Sequence, residues 1–186
     1  MQAVEDSRSL TTTAYAVLGL LTFGAMSGYD LLKLVARSIG FFWTPARSQV
    51  YTELKRLSRL GLVAERRVHQ EGRPDKRLYE LTEGGRAALQ RWLDSPEVEP
   101  DTLRSQFLLR LFFGHLAGRE RTLDLVRRRR RDAERTLATL REVEPQVAGN
   151  PDLLYPYLTL LSGVAHSEAT LRWAEDVIRR LEEDQE

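Results

Sequence analysis

The residues that could do chemistry gather in one short stretch of this 186-residue chain. Arg47, Ser48, Gln49, Tyr51, Thr52, Lys55 and Arg56 lie almost side by side, and Arg73, Lys76 and Arg77 follow a little further on. None of them forms a catalytic pattern. Guanidinium and ammonium groups neutralise phosphates, while Gln, Ser, Thr and Arg can hydrogen-bond base edges. The chemistry on offer is therefore contact with a nucleic acid. Elsewhere His69, His115 and His166 are scattered without metal-ligand spacing. HExxH, CxxC, P-loop and GxGxxG patterns are absent, and no paired carboxylates sit in an apolar setting. Nothing here calls for a catalytic residue, a metal or a cofactor.

The elements that must position these groups are legible around them. Thr44 and Pro45 suit an N-cap and a first helical turn. Val50, Leu54 and Leu57 recur at i, i+4 and i+7, so they share one helix face. Ser48, Thr52, Lys55, Arg56 and Arg59 fall on the other, with Arg47 and Tyr51 flanking. Gly61 ends the helix. Leu62–Val68 reads as a strand, EGRPDKR as a reversal and Arg77–Leu81 as the returning strand. A cationic helix followed by a hairpin with a basic tip suits duplex DNA, because a helix fits the major groove. Two more helices precede it. Thr11–Phe23 is apolar-rich, and the S-x-x-D spacing of Ser27 and Asp30 starts a second helix reaching about Ile39. Three helices and a hairpin make a winged helix-turn-helix with the third helix as reader. The aromatic triplet Phe41–Trp43 reads as packing beside the third helix.

Charge agrees. Residues 44–80 hold nine Arg or Lys against five acids, while the whole chain is only +1. Residues 1–95 carry 14 bases and 10 acids, and residues 96–186 carry 14 and 17. That asymmetry marks a polyanion-binding half joined to a half with another task. An apolar content of 42% allows a real core. There are no cysteines, no apolar run approaches the ~20 residues that span a bilayer, and the first ten residues do not resemble a signal peptide. A cytoplasmic protein with no membrane partner is expected.

Thr82 caps a fourth helix to about Leu93, so the DNA-binding domain spans residues 11–94 and the Pro-marked segment 95–101 is a linker. Residues 102–186 read as long helices: Thr102–Phe113, Arg119–Glu144 stopped by Pro145, and a last helix opened by Asn150-Pro151. The five arginines from Arg127 to Arg131 point in different directions on a helix, so they read as a solvated face pairing with nearby acids. In the last helix Tyr157, Val164, Leu171 and Ile178 recur every seven residues, and Leu160, Ser167, Ala174 and Leu181 follow three after each. This is an a/d seam. With Leu161 beside it, the seam is expected to serve both a hairpin with the other long helix and a homodimer. Tyr155, His166 and Trp173 lie on another face. They either pack on the Phe107–Phe113 helix or line a cavity for a small-molecule effector. The expected class is mostly α, with a small β-hairpin wing and a helical dimerisation domain. The alternative is a helical protein-interaction module with vestigial DNA binding.

At this point the motifs resemble a known family. LGLL in the first helix, SGYDLLK in the second, GFFWTPARSQVYTELKRLSRLGLV and the wing EGRPDKRLYELTEGGRAAL are similar to PadR-type transcriptional regulators. The likeness is close over residues 12–93 and looser beyond, where FLLRLFFG at Phe107–Gly114 belongs to it. It implies a homodimeric repressor of its own or an adjacent promoter, a palindromic operator and a multi-helix C-terminal domain. By position, Tyr51 and Lys55 match the family's Tyr and Lys in the reading helix, and Arg73 and Lys76 match its wing tip. The family commonly has Pro where this chain has Thr52. Family effectors range from phenolic acids to drugs.

Overall fold

The computed structural model describes residues 10–69, 75–97 and 103–183. The chain divides into two compact units, Met1–Glu99 and Pro100–Glu186.

The first unit is a winged helix-turn-helix. Helix α1 (Thr12–Leu20) is capped by Thr11, whose hydroxyl accepts from the Ala14 N–H, and it runs on into a single 3-10 turn, Leu21–Phe23. Helix α2 (Gly28–Arg37) opens on the expected capping box: Ser27 and Asp30 each cap the other's backbone N–H. Helix α3 (Arg47–Arg59) starts two residues later than the Thr44 cap predicts. The Thr44 hydroxyl donates instead to the Gly40 carbonyl at 2.6 Å. The start is fixed from inside the helix, where the Gln49 side-chain oxygen accepts from the Ala46 N–H at 2.9 Å. Leu60 and then Gly61, at φ +70°, end α3.

Strands β1 (Val63–Val68) and β2 (Lys76–Leu81) pair antiparallel, Val63 opposite Leu81 and Val68 opposite Lys76. Met26, just before α2, exchanges backbone bonds with Tyr79 and so ties the hairpin to the helix-turn-helix. Helix α4 (Glu83–Leu93), capped by Thr82, closes the unit, and its Trp92 stacks on Tyr15 of α1 at 4.8 Å. The core is built from Leu18, Leu31, Val50, Leu54 and Leu57, the last three being the apolar stripe read from sequence. In the aromatic triplet Phe42 stays exposed, while Phe41 and Trp43 are partly covered.

The second unit is helical. Helix α5 (Gln106–Phe112), capped by Ser105, is shorter than expected, and a single turn α6 (Gly114–Ala117) follows it. Helix α7 (Arg119–Val147) runs through Pro145 rather than stopping there. A proline in the last turn forfeits one i→i−4 bond and the helix ends two residues later, so the cost is confined to the end. After a 3-10 turn (Pro151–Leu153) comes helix α8 (Leu154–Glu183), which packs antiparallel on α7. Arg127–Glu182 at 2.7 Å and Arg141–Glu168 at 2.6 Å bridge the pair. Each helix is about 45 Å long at ~1.5 Å per residue. Arg130 pairs with Glu134 at 3.2 Å and Arg129 lies over the Phe107 ring, so members of the arginine run go to different partners. Among the described residues, no helix is long and apolar enough to cross a membrane.

Candidate nucleic-acid interface

Helix α3 sorts its residues as the periodicity requires. Val50, Glu53, Leu54 and Leu57 are buried against the unit, while Arg47, Ser48, Gln49, Thr52, Lys55 and Arg59 are exposed. Tyr51 and Arg56 sit at the boundary. Tyr51 packs across the start of α2, where a Cβ on Gly28 would lie 2.5 Å from its ring. Only glycine lets the two helices of the motif approach this closely. The Arg47 guanidinium lies 5.7 Å from the centre of the same ring. Tyr51 is thus held as a platform rather than projecting freely. Gln49 spends its side-chain oxygen on the helix start, which leaves its amide NH2 as the group turned to solvent.

The wing departs from expectation. Arg73 falls outside the described residues. The Lys76 ammonium lies 2.8 Å from Asp30 Oδ2, and the Arg77 guanidinium donates to Glu65 Oε1 at 3.0 Å across the hairpin. Both cations are therefore paired with acids of the same unit, whereas the family resemblance places Lys76 at the wing tip. Lys76 fastens β2 to the capping box of α2, since Ser27 Oγ also donates to Asp30 Oδ2, at 2.8 Å. The Lys76 hydrogen bond, followed by that of Ser27, holds the Asp30 carboxyl below its ordinary pKa. Burial, and then the nearby Glu65 carboxylate, push the Tyr79 phenol up.

Two features were missed. Glu53 is buried in the reading helix, although its place three after Val50 and beside Leu54 puts it on the inward stripe. On α2, Tyr29, Lys33 and Arg37 form an exposed i, i+4, i+8 row, with Lys33 Nζ 4.5 Å from the Tyr29 ring centre. In a helix-turn-helix the first helix crosses the DNA backbone, which makes this row a candidate for backbone contact.

Comparison with known proteins decides what this arrangement belongs to. The PadR-like transcriptional regulator family model matches residues 17–91, and the virulence activator alpha C-terminal model matches residues 103–182. A probable transcriptional regulator of Mycobacterium tuberculosis is 30% identical over 91% of this chain and 97% of its own length. The chain belongs to the PadR-like family of transcriptional regulators. The negative transcriptional regulator PadR of Bacillus subtilis is 29% identical, over 91% of this chain and 97% of its own. The crystal structure of that protein with operator DNA superposes with a TM-score of 0.77 at 28% identity, covering 92% of this chain and 99% of the other. Another of its structures, with p-coumaric acid, superposes at 0.67 and 26% identity, covering 94% and 99%. As a member of the PadR-like family, this chain is a DNA-binding transcriptional regulator.

The second unit treats the sequence-predicted positions unevenly. Leu160 and Ala174 are 5% and 0% exposed, because the d positions of the seam face α7 of the same chain. They leave no surface for a partner. Tyr157, Val164, Leu171, Ile178 and Leu181 are half-buried flanks of that hairpin, and Leu161 is 37% exposed. It continues an exposed row of Leu154 and Leu158, while Leu109, Phe112 and Leu116 are exposed on α5 and α6. The effector trio does not come together. Tyr155 and Trp173 share one helix face but are roughly 27 Å apart along it. Trp173 packs edge-on against Phe107 at 5.7 Å, the packing alternative read from sequence, and Tyr155 is 77% exposed. A groove of about 600 Å³ lies instead against α7, lined by Leu109, Phe113, Leu116, Leu125, Arg121 and Arg128 among others.

Proposed function

We propose that this regulator is a homodimeric repressor that reads a palindromic operator with α3. Arg47, Ser48, Gln49, Tyr51 and Thr52 face base edges or adjacent phosphates, and Lys55 and Arg56 hold the backbone. The observation that carries this is the exposed polar and cationic face of α3, from Arg47 to Arg59, above a fully buried opposite face. The operator complex of the Bacillus subtilis relative supports it. Lys76 and Arg77 drop from the contact set because each already has an acid partner.

Dimerisation rests on the C-terminal unit. The apolar side chains left exposed on α5, α6 and the first turns of α8 are more than a monomer of this size needs to display, and a second copy covers such surfaces at low cost. An effector is supported only by the p-coumaric acid complex of the relative. Its site here is not the Tyr155, His166 and Trp173 set, whose members are too far apart.

The test is selection of duplexes from a random library by the purified protein. A two-fold symmetric consensus is the expected result. Duplex binding without sequence preference, or a protein that sediments as a single subunit when bound, overturns the reading and favours a protein-interaction module.

A further inference from the structure

Beneath the reading face lies an acid with no evident reason to be there. Glu53 is 8% exposed in the inward stripe of α3, among Val50, Leu54 and Leu57. Its Oε1 accepts from the Thr11 hydroxyl at 2.8 Å. Its Oε2 has no hydrogen-bond partner among the described residues and lies 3.8 Å from Arg56 Nη1. Thr11 is also the N-cap of α1, accepting from the Ala14 N–H at 3.1 Å. One threonine hydroxyl thus serves the start of the first helix and the middle of the reading helix at once.

An apolar residue at this position would fill the same space without the cost of burying a carboxylate. What the acid adds is direction. Apolar packing tolerates small rotations of a helix about its axis, whereas a 2.8 Å bond to a capped, fixed hydroxyl does not. The same carboxylate lies at the floor of a notch of about 230 Å³ whose rim is Thr11, Thr13, Ser48, Gln49 and Thr52. Three of those residues are the uncharged polar side chains assigned to base edges. A rotation of α3 would move all three together, and Arg56 with them.

We propose that Glu53 is a positioning residue for sequence recognition, which sets the rotation of α3 through Thr11 while itself touching no DNA. The inference rests on α3 being the DNA reader. Base contacts discriminate only when their geometry is held, whereas phosphate contacts tolerate looser placement. Loss of the Thr11–Glu53 bond should therefore reduce specificity and leave sequence-independent affinity intact.

The experiment compares duplex selection, and the ratio of operator to random-duplex affinity, for wild type, Thr11→Val, Thr11→Ser, Glu53→Gln and Thr82→Val. Thr11→Val removes the hydroxyl and no charge. The ratio should fall by about tenfold, the scale of one hydrogen bond to a charged group, with the salt slope unchanged. Thr11→Ser restores the hydroxyl and should restore the ratio. Glu53→Gln keeps an acceptor for Thr11 and removes only the charge, so it should keep the wild-type ratio. Thr82→Val deletes an equivalent helix cap in the same unit and controls for lost stability. If Thr11→Val, folded by circular dichroism, selects the wild-type site with wild-type stringency, the inference is overturned. Equal loss of specificity in Thr82→Val overturns it too. Should wild type itself select no sequence, it is the assignment of α3 as reader that fails.

Discussion

Lys55 and Lys76 look alike in sequence, as cations flanking a DNA-reading helix, but the fold surrounds them differently. Lys55 is exposed on α3 with no ion pair among the described residues, whereas Lys76 lies 2.8 Å from Asp30 with both side chains a little over one-third exposed. A lysine that neutralises a phosphate contributes about 0.9 to the slope of log affinity against log salt. At ~0.1 M salt that slope is worth about eightfold in affinity, or about 1.2 kcal/mol. Lys55→Met should lower the slope by about 0.9 on any duplex, cognate or random. The double variant Lys76→Met with Asp30→Asn removes one charge of each sign, so net charge is unchanged. If the pair is an internal tie, its slope should stay within about 0.2 of wild type. Fluorescence anisotropy with labelled duplex, at several salt concentrations between ~50 and ~200 mM, measures both. A wild-type slope in Lys55→Met removes that residue from the backbone contacts. A full unit lost in the double variant shows Lys76 on a phosphate and breaks the argument from its pairing with Asp30.

The same ion pair predicts a pH effect. Because the folded-state pKa of Asp30 is depressed below 3.8, its stabilisation is present above the unfolded value and disappears as pH falls through the folded one. Asp30→Asn should melt slightly below wild type at neutral pH, by no more than ~1 kcal/mol for so exposed a pair, and match it in strong acid. A gap that persists in calorimetry below pH ~3 would assign the loss to the capping hydrogen bonds alone. In the C-terminal unit Leu158→Asp places a charge on the exposed row of α8 and should turn the proposed dimer into monomers in sedimentation without lowering helix content. Leu160→Ala, two residues along but facing α7, should cost about 2–5 kcal/mol in stability. If Leu160→Ala dissociates the dimer at unchanged melting temperature, the two faces have been exchanged.

The sequence by itself determined the elements and the family. Local signals fix them: the Ser27–Asp30 capping box, the Thr82 cap, the stop at Gly61, the i, i+4, i+7 apolar stripe of α3 and the motif string from Gly40 to Leu81 each depend on residues a few positions apart. Where two local signals competed, sequence could mislead. Thr44 and Pro45 look like a helix start, but the Gln49 side chain captures the Ala46 N–H and moves it.

Only the tertiary structure decided which polar groups are free to act. Lys76 and Arg77 acquired acid partners, Asp30 and Glu65, that lie 46 and 12 positions away. Glu53 became a buried contact of Thr11, 42 positions away. In α8 a seven-residue repeat marked an apolar seam without saying which helix it meets, and α7 of the same chain took the Leu160 and Ala174 side. Periodicity records which side chains share a face, because it follows from backbone geometry alone. It carries no record of what that face meets, because that depends on residues brought together only when the chain has folded.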